Sequence, residues 1–312
     1  MNEFELIRRY FDRAPNRALL GIGDDCALLR PNAGLELAIT TDMLIEGRHF
    51  LADAAPRSLG HKALAVNLSD LAAMGAAPRY ALLSLGLPSA DAAWLEAFAA
   101  GFFALAERYG VELIGGDTSR ATERTISIVA LGEVPAGVAL YRSGAKAGDD
   151  IWVSGELGGA ALGLRRPDIA EAARRLHEPE PRIELGERLR GLAHAAIDIS
   201  DGLTGDLQHI LERSQVGAVL EYARIPRPGA FRGLGDAELE RDCVLSGGDD
   251  YELAFTAAPR RREVLAALSE ELGLPLTRIG VIQPGAAELV VRDAEGERMS
   301  YRRSYDHFRS RA

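Results

Sequence analysis

Five short acidic segments carry the residues best suited to chemistry: Gly-Ile-Gly-Asp-Asp at 21–25, Thr-Thr-Asp at 40–42, Asn-Leu-Ser-Asp at 67–70, Gly-Gly-Asp at 115–117 and Asp-Ile-Ser-Asp-Gly at 198–202. A sixth, Ser-Gly-Gly-Asp-Asp-Tyr-Glu, spans 246–252. Carboxylates and hydroxyls beside glycine make an oxygen-only donor set, the kind that Mg²⁺ prefers when one or two carboxylates and substrate phosphates complete its shell. The two cysteines, Cys26 and Cys243, stand far apart, which argues against a zinc site or a disulfide framework and suits a reducing compartment. Each segment alone also reads as a turn or a helix cap, where glycine, serine and aspartate are the expected residues. Their joint occurrence is what points to metal-bridged phosphate chemistry.

Charge sharpens this reading. The chain of 312 residues has a formal net charge of −10, which disfavours a nucleic-acid-binding surface. Its only lysines are Lys62 and Lys146, and neither stands in the Gly-x-x-x-x-Gly-Lys-Ser/Thr frame of a P-loop. An acidic protein repels polyphosphate unless cations intervene, and carboxylates that recruit Mg²⁺ reverse the local sign. Arg142 and Lys146, in Tyr-Arg-Ser-Gly-Ala-Lys, could add positive charge, or could simply lie in a solvated turn.

Elements that position these residues follow from periodicity. Phe4, Ile7, Tyr10 and Phe11 lie at helical spacing. Strand-like runs at Cys26–Leu29 and Leu35–Thr41 come next, the latter ending at Thr40-Thr41-Asp42. Pro56 opens a helix to about Met74 that carries Asn67 and Asp70 on one face. Arg79–Leu87 reads as a strand; Ser89 is expected to cap a helix that Gly110 stops. Val111–Ile114 reads as a buried strand running into Gly115-Gly116-Asp117, whose paired glycines suit either a backbone nest for an anion or an ordinary turn, and Thr125–Val134 reads as a further strand. A glycine- and alanine-rich break at 135–148 suggests a boundary between an N-terminal domain, 1–137, and a C-terminal domain, 138–312.

In the second half, strands are expected at Asp150–Ser154, Ala195–Ile199, Val216–Tyr222, Tyr251–Thr256, 276–282 and 288–292. Helices are expected within 168–191, at Leu203–Ser214 and at Pro259–Leu272, with Ser200 or Asp201 capping the second. The class is therefore α/β (α+β) in two domains. The N-terminus lacks an apolar signal segment and no stretch reaches the ~18 apolar residues of a membrane span, so a cytoplasmic protein is expected.

The segments GIGDDCALL, TTDMLIEGRHF, LAVNLSDLAAMGAAP, LIGGDT, YRSGAKAGDDIWVSG, DISDGL and SGGDDYELAFT, in this order, resemble those of the thiamine-monophosphate kinase family, within the aminoimidazole ribonucleotide synthetase-like superfamily. The resemblance covers essentially the whole chain. It implies a two-domain fold in which N-terminal strands of two subunits form a central barrel, hence a homodimer, with ATP and several Mg²⁺ ions lying between the domains. It further implies Mg²⁺ ligands at Asp25, Thr40, Thr41, Asp42, Asp70, Asp117, Asp198 and Asp201. ATP would be contacted by Gly115, Gly116, Arg142 and Ser200, and thiamine monophosphate by His49, Asp249 and Tyr305. No catalytic residue separate from these ligands is implied. Two positions depart from the family pattern: Asp249 stands where glutamate is usual, and Tyr305 where tryptophan is usual.

Two other readings compete. One is a different ATP-dependent synthetase of the superfamily, although the cysteine and lysine signatures of selenophosphate synthetase and the cysteine-bearing tail of the hydrogenase-maturation protein are absent from the sequence. The other is a non-catalytic nucleotide- or metal-binding regulator. Transfer of phosphate to thiamine monophosphate separates both from the kinase.

Overall fold

A computed structural model describes residues 2–302, which group into two compact units. Unit 1 comprises Met1–Leu71 and Ala76–Gly137; unit 2 comprises Ala72–Gly75 and Val138–Ala312.

Unit 1 opens with α1 (Glu3–Tyr10), started by an Asn2–Glu5 capping box. It continues through β1 (Leu35–Ile45), α2 (Pro56–Ala73), β2 (Ala77–Leu87), α3 (Ala92–Tyr109), β3 (Glu112–Arg120) and β4 (Thr125–Pro135). The four strands form one mixed sheet in the order β1-β4-β2-β3, antiparallel except for the β2–β3 pair. Helix α2 is apolar nearly all round, so it is buried on most sides and its Leu64, Leu68 and Leu71 join Phe98, Phe102, Ile126 and Ile128 in the core. Helix α3 begins at Asp91, whose carboxylate accepts from the N–H groups of Ala93 and Trp94; Ser89 does not cap it. Residues 26–29 form no strand, only the isolated bridge Leu20↔Leu28.

Two larger differences concern the site. Thr40-Thr41-Asp42 lies in the middle of an eleven-residue strand, not at its end, because Met43, Leu44 and Ile45 continue the pairing with β4. Gly115-Gly116-Asp117 lies within β3 rather than in a turn, since β3 pairs with β2 as far as Arg120 after a shift in register at Ala81/Leu82.

Unit 2 runs β5 (Asp150–Ser154), α4 (Gly159–Arg165), α5 (Ala170–His177), α6 (Ile183–Leu189), β6 (Ala195–Asp198), α7 (Leu203–Ser214), β7 (Gly217–Glu221), α8 (Ala237–Ser246), β8 (Leu253–Ala257), α9 (Arg262–Leu272), β9 (Leu276–Gln283) and β10 (Leu289–Arg292). Its six-stranded sheet has the order β10-β7-β9-β5-β8-β6, with only β10–β7 parallel. Ile151, Val153, Ile197, Leu207, Ile210, Val244 and Ile279 fill one core face. Pro179 and Pro181 separate α5 from α6, as expected. Helix α8 has no counterpart in the sequence reading. Pairing of β6 with β8 sets Asp198 opposite Leu253, so the loop leaving β6 and the loop entering β8 lie side by side. No helix among the described residues is long and apolar enough to cross a membrane.

Candidate functional site

In unit 1, strand alternation turns Thr40 and Asp42 to one face of the sheet and Thr41 to the other. The Thr40 hydroxyl donates a short hydrogen bond to Asp70 Oδ2. One turn earlier on α2, buried Asn67 accepts the Asp42 N–H through Oδ1 at 3.1 Å, while its Nδ2 donates to the Ala63 carbonyl at 3.1 Å. The spacing of Asn67 and Asp70 on α2 thus holds two consecutive same-face residues of β1, giving a hydroxyl and two carboxylates in one neighbourhood.

Asp117 stands elsewhere. Register carries Met43 through Ser127 and Ser84 to Asp117, and Asp42 through Ile128 and Leu83 to Gly116. Asp117 is therefore on the opposite face from Asp42 and on the opposite edge strand, three strand spacings or about 14 Å away. It accepts from the Ser119 hydroxyl at 3.1 Å. Gly116 has φ +147, and a Cβ there would overlap the Leu83 carbonyl, so only glycine fits this parallel pair. Asp25 is exposed, its N–H donating to Asp24 Oδ1 at 2.9 Å. His49 Nδ1 accepts from the Ile45 N–H at 3.0 Å, which leaves the ring proton on Nε2.

In unit 2, the Asp198–Gly202 loop is organised by a residue that sequence reasoning did not single out. Asp206 Oδ2 accepts the N–H groups of Ser200, Asp201 and Gly202 at 3.0, 3.0 and 3.1 Å. Neither Ser200 nor Asp201 caps α7; the carboxylate comes from within the helix's first turn. Three converging N–H groups form a nest that ordinarily takes an anion, and here the chain's own carboxylate fills it. Burial and the neighbouring Asp201 push the Asp206 carboxyl up to about 7 despite those three bonds. An acidic residue in the first turn after a glycine was the available signal.

The Gly247–Glu252 loop packs directly on this one. The Asp249 N–H donates to the Ser200 carbonyl and the Tyr251 N–H to the Ile199 carbonyl, both at 2.8 Å. Gly248 allows the approach, because a Cβ there would overlap the Ser200 carbonyl and touch Asp201 Cα at 3.3 Å. Asp249 and Tyr251 have φ +69 and +51, left-handed conformations that are rare outside glycine. Tyr251 Oη donates to Asp249 Oδ1 at 3.0 Å.

Between them, Asp250 accepts from the N–H groups of Gly158 and Ala160 at 2.6 and 3.3 Å, and burial pushes its carboxyl up to about 7. Buried Glu252 binds Arg182 at 2.7 and 2.5 Å and the Ser154 hydroxyl at 2.5 Å. Asp198, Ser200, Asp201 and Asp249 are thus drawn to one end of the six-stranded sheet.

The Arg142 main chain lies beside β6, where the preceding Tyr141 carbonyl accepts from the Ala196 N–H at 2.9 Å. The Arg142 carbonyl accepts from the Ser214 hydroxyl at the C-terminal end of α7, whereas Ser200 precedes the N-terminal end. The twelve-residue helix separates these ends by about 16 Å. Tyr305 falls outside the described residues. Among the described residues, no group of three or more His, Cys, Asp or Glu side chains is gathered for a metal ion. The oxygen donors occur as pairs and short loops instead.

Residues 23–134 match the AIR synthase related protein N-terminal domain, and residues 146–292 the corresponding C-terminal domain. The thiamine-monophosphate kinase of Escherichia coli (strain K12) is 46% identical, with 98% of each chain covered. That of Bacillus subtilis (strain 168) is 33% identical over 99% of this chain and 100% of its own. Among solved structures, the thiamine-monophosphate kinase of Stenotrophomonas maltophilia K279a is 47% identical with TM-score 0.85, covering 95% of this chain and 96% of its own. AaThiL complexed with AMPPCP and TMP is 31% identical with TM-score 0.79, covering 89% of each chain. With both domains matched and kinship of this degree over the full length, the chain belongs to the thiamine-monophosphate kinase family.

Proposed function

We propose that the protein transfers the terminal phosphoryl group of ATP to thiamine monophosphate, giving ADP and thiamine diphosphate. The 46% identity to a thiamine-monophosphate kinase over 98% of both chains carries this reading. The 31% identical AaThiL, in complex with AMPPCP and TMP, supports the choice of both substrates.

The acceptor is itself a phosphate, with a second pKa of about 6, so it is already largely ionised at neutral pH. No general base is required, and catalysis rests on in-line positioning and neutralisation of charge. The oxygen-only donors suit Mg²⁺, which takes one or two carboxylates plus phosphate oxygens and does not need a cage of protein ligands. We assign its ligation to Asp25, Thr40, Thr41, Asp42, Asp70, Asp117, Asp198 and Asp201. When bound, Mg²⁺ neutralises the phosphate oxygens and holds them in line. Thr40 and Asp70 share a hydrogen bond and Asn67 fixes the Asp42 backbone, so this part of the donor set is held before any ligand arrives. Gly115, Gly116, Arg142 and Ser200 are assigned to ATP, and His49, Asp249 and Tyr305 to thiamine monophosphate.

A homodimer belongs to the same proposal. Edge strand β1 exposes Leu37, Ile39 and Met43 at 42, 63 and 53% on one face, apolar surface that a second four-stranded sheet would cover. Closing two sheets into a barrel removes these edges.

The deciding assay incubates purified protein with ATP, Mg²⁺ and thiamine monophosphate and identifies the products. Thiamine diphosphate and ADP in equal amounts are expected. ATP binding without either product would favour the regulator reading, and ADP formation independent of thiamine monophosphate would refute the substrate.

A further inference from the structure

We propose that Tyr251 is a positioning residue for the substrate, acting through the Asp249 carboxylate; this rests on the reading that Asp249 contacts thiamine monophosphate. A tyrosine at φ +51 is unusual, because a side chain of this size is crowded in the left-handed region. Here that conformation is fixed by two bonds: the Tyr251 N–H to the Ile199 carbonyl at 2.8 Å and the hydroxyl to Asp249 Oδ1 at 3.0 Å. Asp249 is in turn left-handed and tied through its N–H to the Ser200 carbonyl at 2.8 Å. Two left-handed residues separated by Asp250 thus turn the chain so that the Tyr251 hydroxyl meets a carboxylate two residues earlier. Backbone strain of this kind survives where the surroundings over-determine it and is concentrated at ligand sites.

The arrangement matters for this chain in particular. Asp249 has a carboxylate one methylene shorter than the glutamate usual at this position, and its reach is set by the loop rather than by side-chain freedom. A donor fixed on one oxygen orients the carboxylate without neutralising it. The Tyr251 ring is buried, so the hydroxyl is held in place by packing as well as by its bond. Tyr251 touches neither ATP nor the transferred phosphoryl group in this scheme; it governs affinity for the acceptor.

The test is steady-state kinetics of the full-length protein carrying Tyr251→Phe, Asp249→Asn or both. Phenylalanine keeps the ring and the N–H bond to Ile199 and removes only the hydroxyl. Tyr251→Phe should raise KM for thiamine monophosphate about tenfold, the scale of one hydrogen bond to a charged group, while KM for ATP moves less than about twofold. Asp249→Asn should raise the same KM, and the double variant should be no worse than Asp249→Asn alone. If Asp249→Asn leaves that KM unchanged, the substrate role of Asp249 fails and this proposal with it. If Asp249→Asn raises it but Tyr251→Phe does not, or if the two effects multiply independently, the positioning role alone is overturned. An equal rise in both KM values for Tyr251→Phe reduces Tyr251 to general support of the fold and also overturns it.

Discussion

Replacing Asp250 by asparagine should stabilise the protein increasingly as pH rises from about 4 to about 7, and leave it unchanged below about pH 4. The Asp250 carboxyl rises from 3.8 to about 7 because burial opposes its charge, with Glu252 and Asp249 adding to the effect; the N–H groups of Gly158 and Ala160 offset only part of it. The sign follows from proton linkage. Between pH 4 and 7 the folded state holds a proton that the unfolded state has released, so stability is full below about pH 4 and falls as pH rises. The slope is about 1.4 kcal/mol per pH unit, and the total loss is at most about 4 kcal/mol by pH 7. Asparagine mimics the neutral acid, since its amide oxygen can still accept the 2.6 Å bond from the Gly158 N–H. The variant should therefore gain about 2–3 kcal/mol on the wild type between pH 5 and 8. Urea unfolding of both proteins in EDTA, in a Trp94→Phe background so that buried Trp152 of unit 2 alone reports, measures this difference directly. A difference that stays constant with pH would refute the account of Asp250 as a carboxyl protonated by burial.

Three further outcomes are expected. Asp42→Asn should abolish turnover while circular dichroism and melting temperature hold, and near-normal activity in saturating Mg²⁺ would remove Asp42 from the ligand set. Ile39→Lys, on the exposed face of β1, should yield a monomer in sedimentation equilibrium, whereas an unchanged mass would contradict the edge-to-edge dimer. Gly248→Ala should cost about 1–3 kcal/mol by forcing a Cβ against the Ser200 carbonyl, and should lower kcat/KM by separating the two loops. An unaltered melting temperature would show that the loops do not press on one another there.

Local patterns carried much of this structure, and pairing between distant segments accounts for what they missed. Helix α7 begins and ends at Leu203 and Ser214 as periodicity requires, and α2 follows from Pro56 and an apolar run. Thr40-Thr41-Asp42 looked like a strand end because polar residues interrupt an apolar run, yet β4 offers partners as far as Ile45. Gly115-Gly116-Asp117 looked like a turn because glycine lowers strand propensity; the parallel register with β2, invisible locally, overrides it. Helix α8 escaped notice because charged residues dilute its apolar stripe, although Asp236 caps it through the Leu239 N–H. The motif positions were legible as residue types, but nothing in their spacing revealed that Asp42 and Asp117 occupy opposite faces of one sheet, or that Arg142 and Ser200 flank opposite ends of α7.

The carboxylates divide into two populations with opposite tasks. Asp206 and Asp250 turn inward and occupy backbone N–H groups at the starts of α7 and α4, the places where a P-loop protein would seat phosphate. Filling them with carboxylates makes these loops rigid and removes their backbone donors from phosphate binding. Asp70 accepts from the Thr40 hydroxyl and the Asp42 N–H donates to the Asn67 amide oxygen, while a formal net charge of −10 leaves the chain little positive charge of its own to meet a polyphosphate. The proposed metal dependence would follow from this division: the same residue type that closes the anion nests from inside would also recruit the cations on which phosphate binding rests in that proposal.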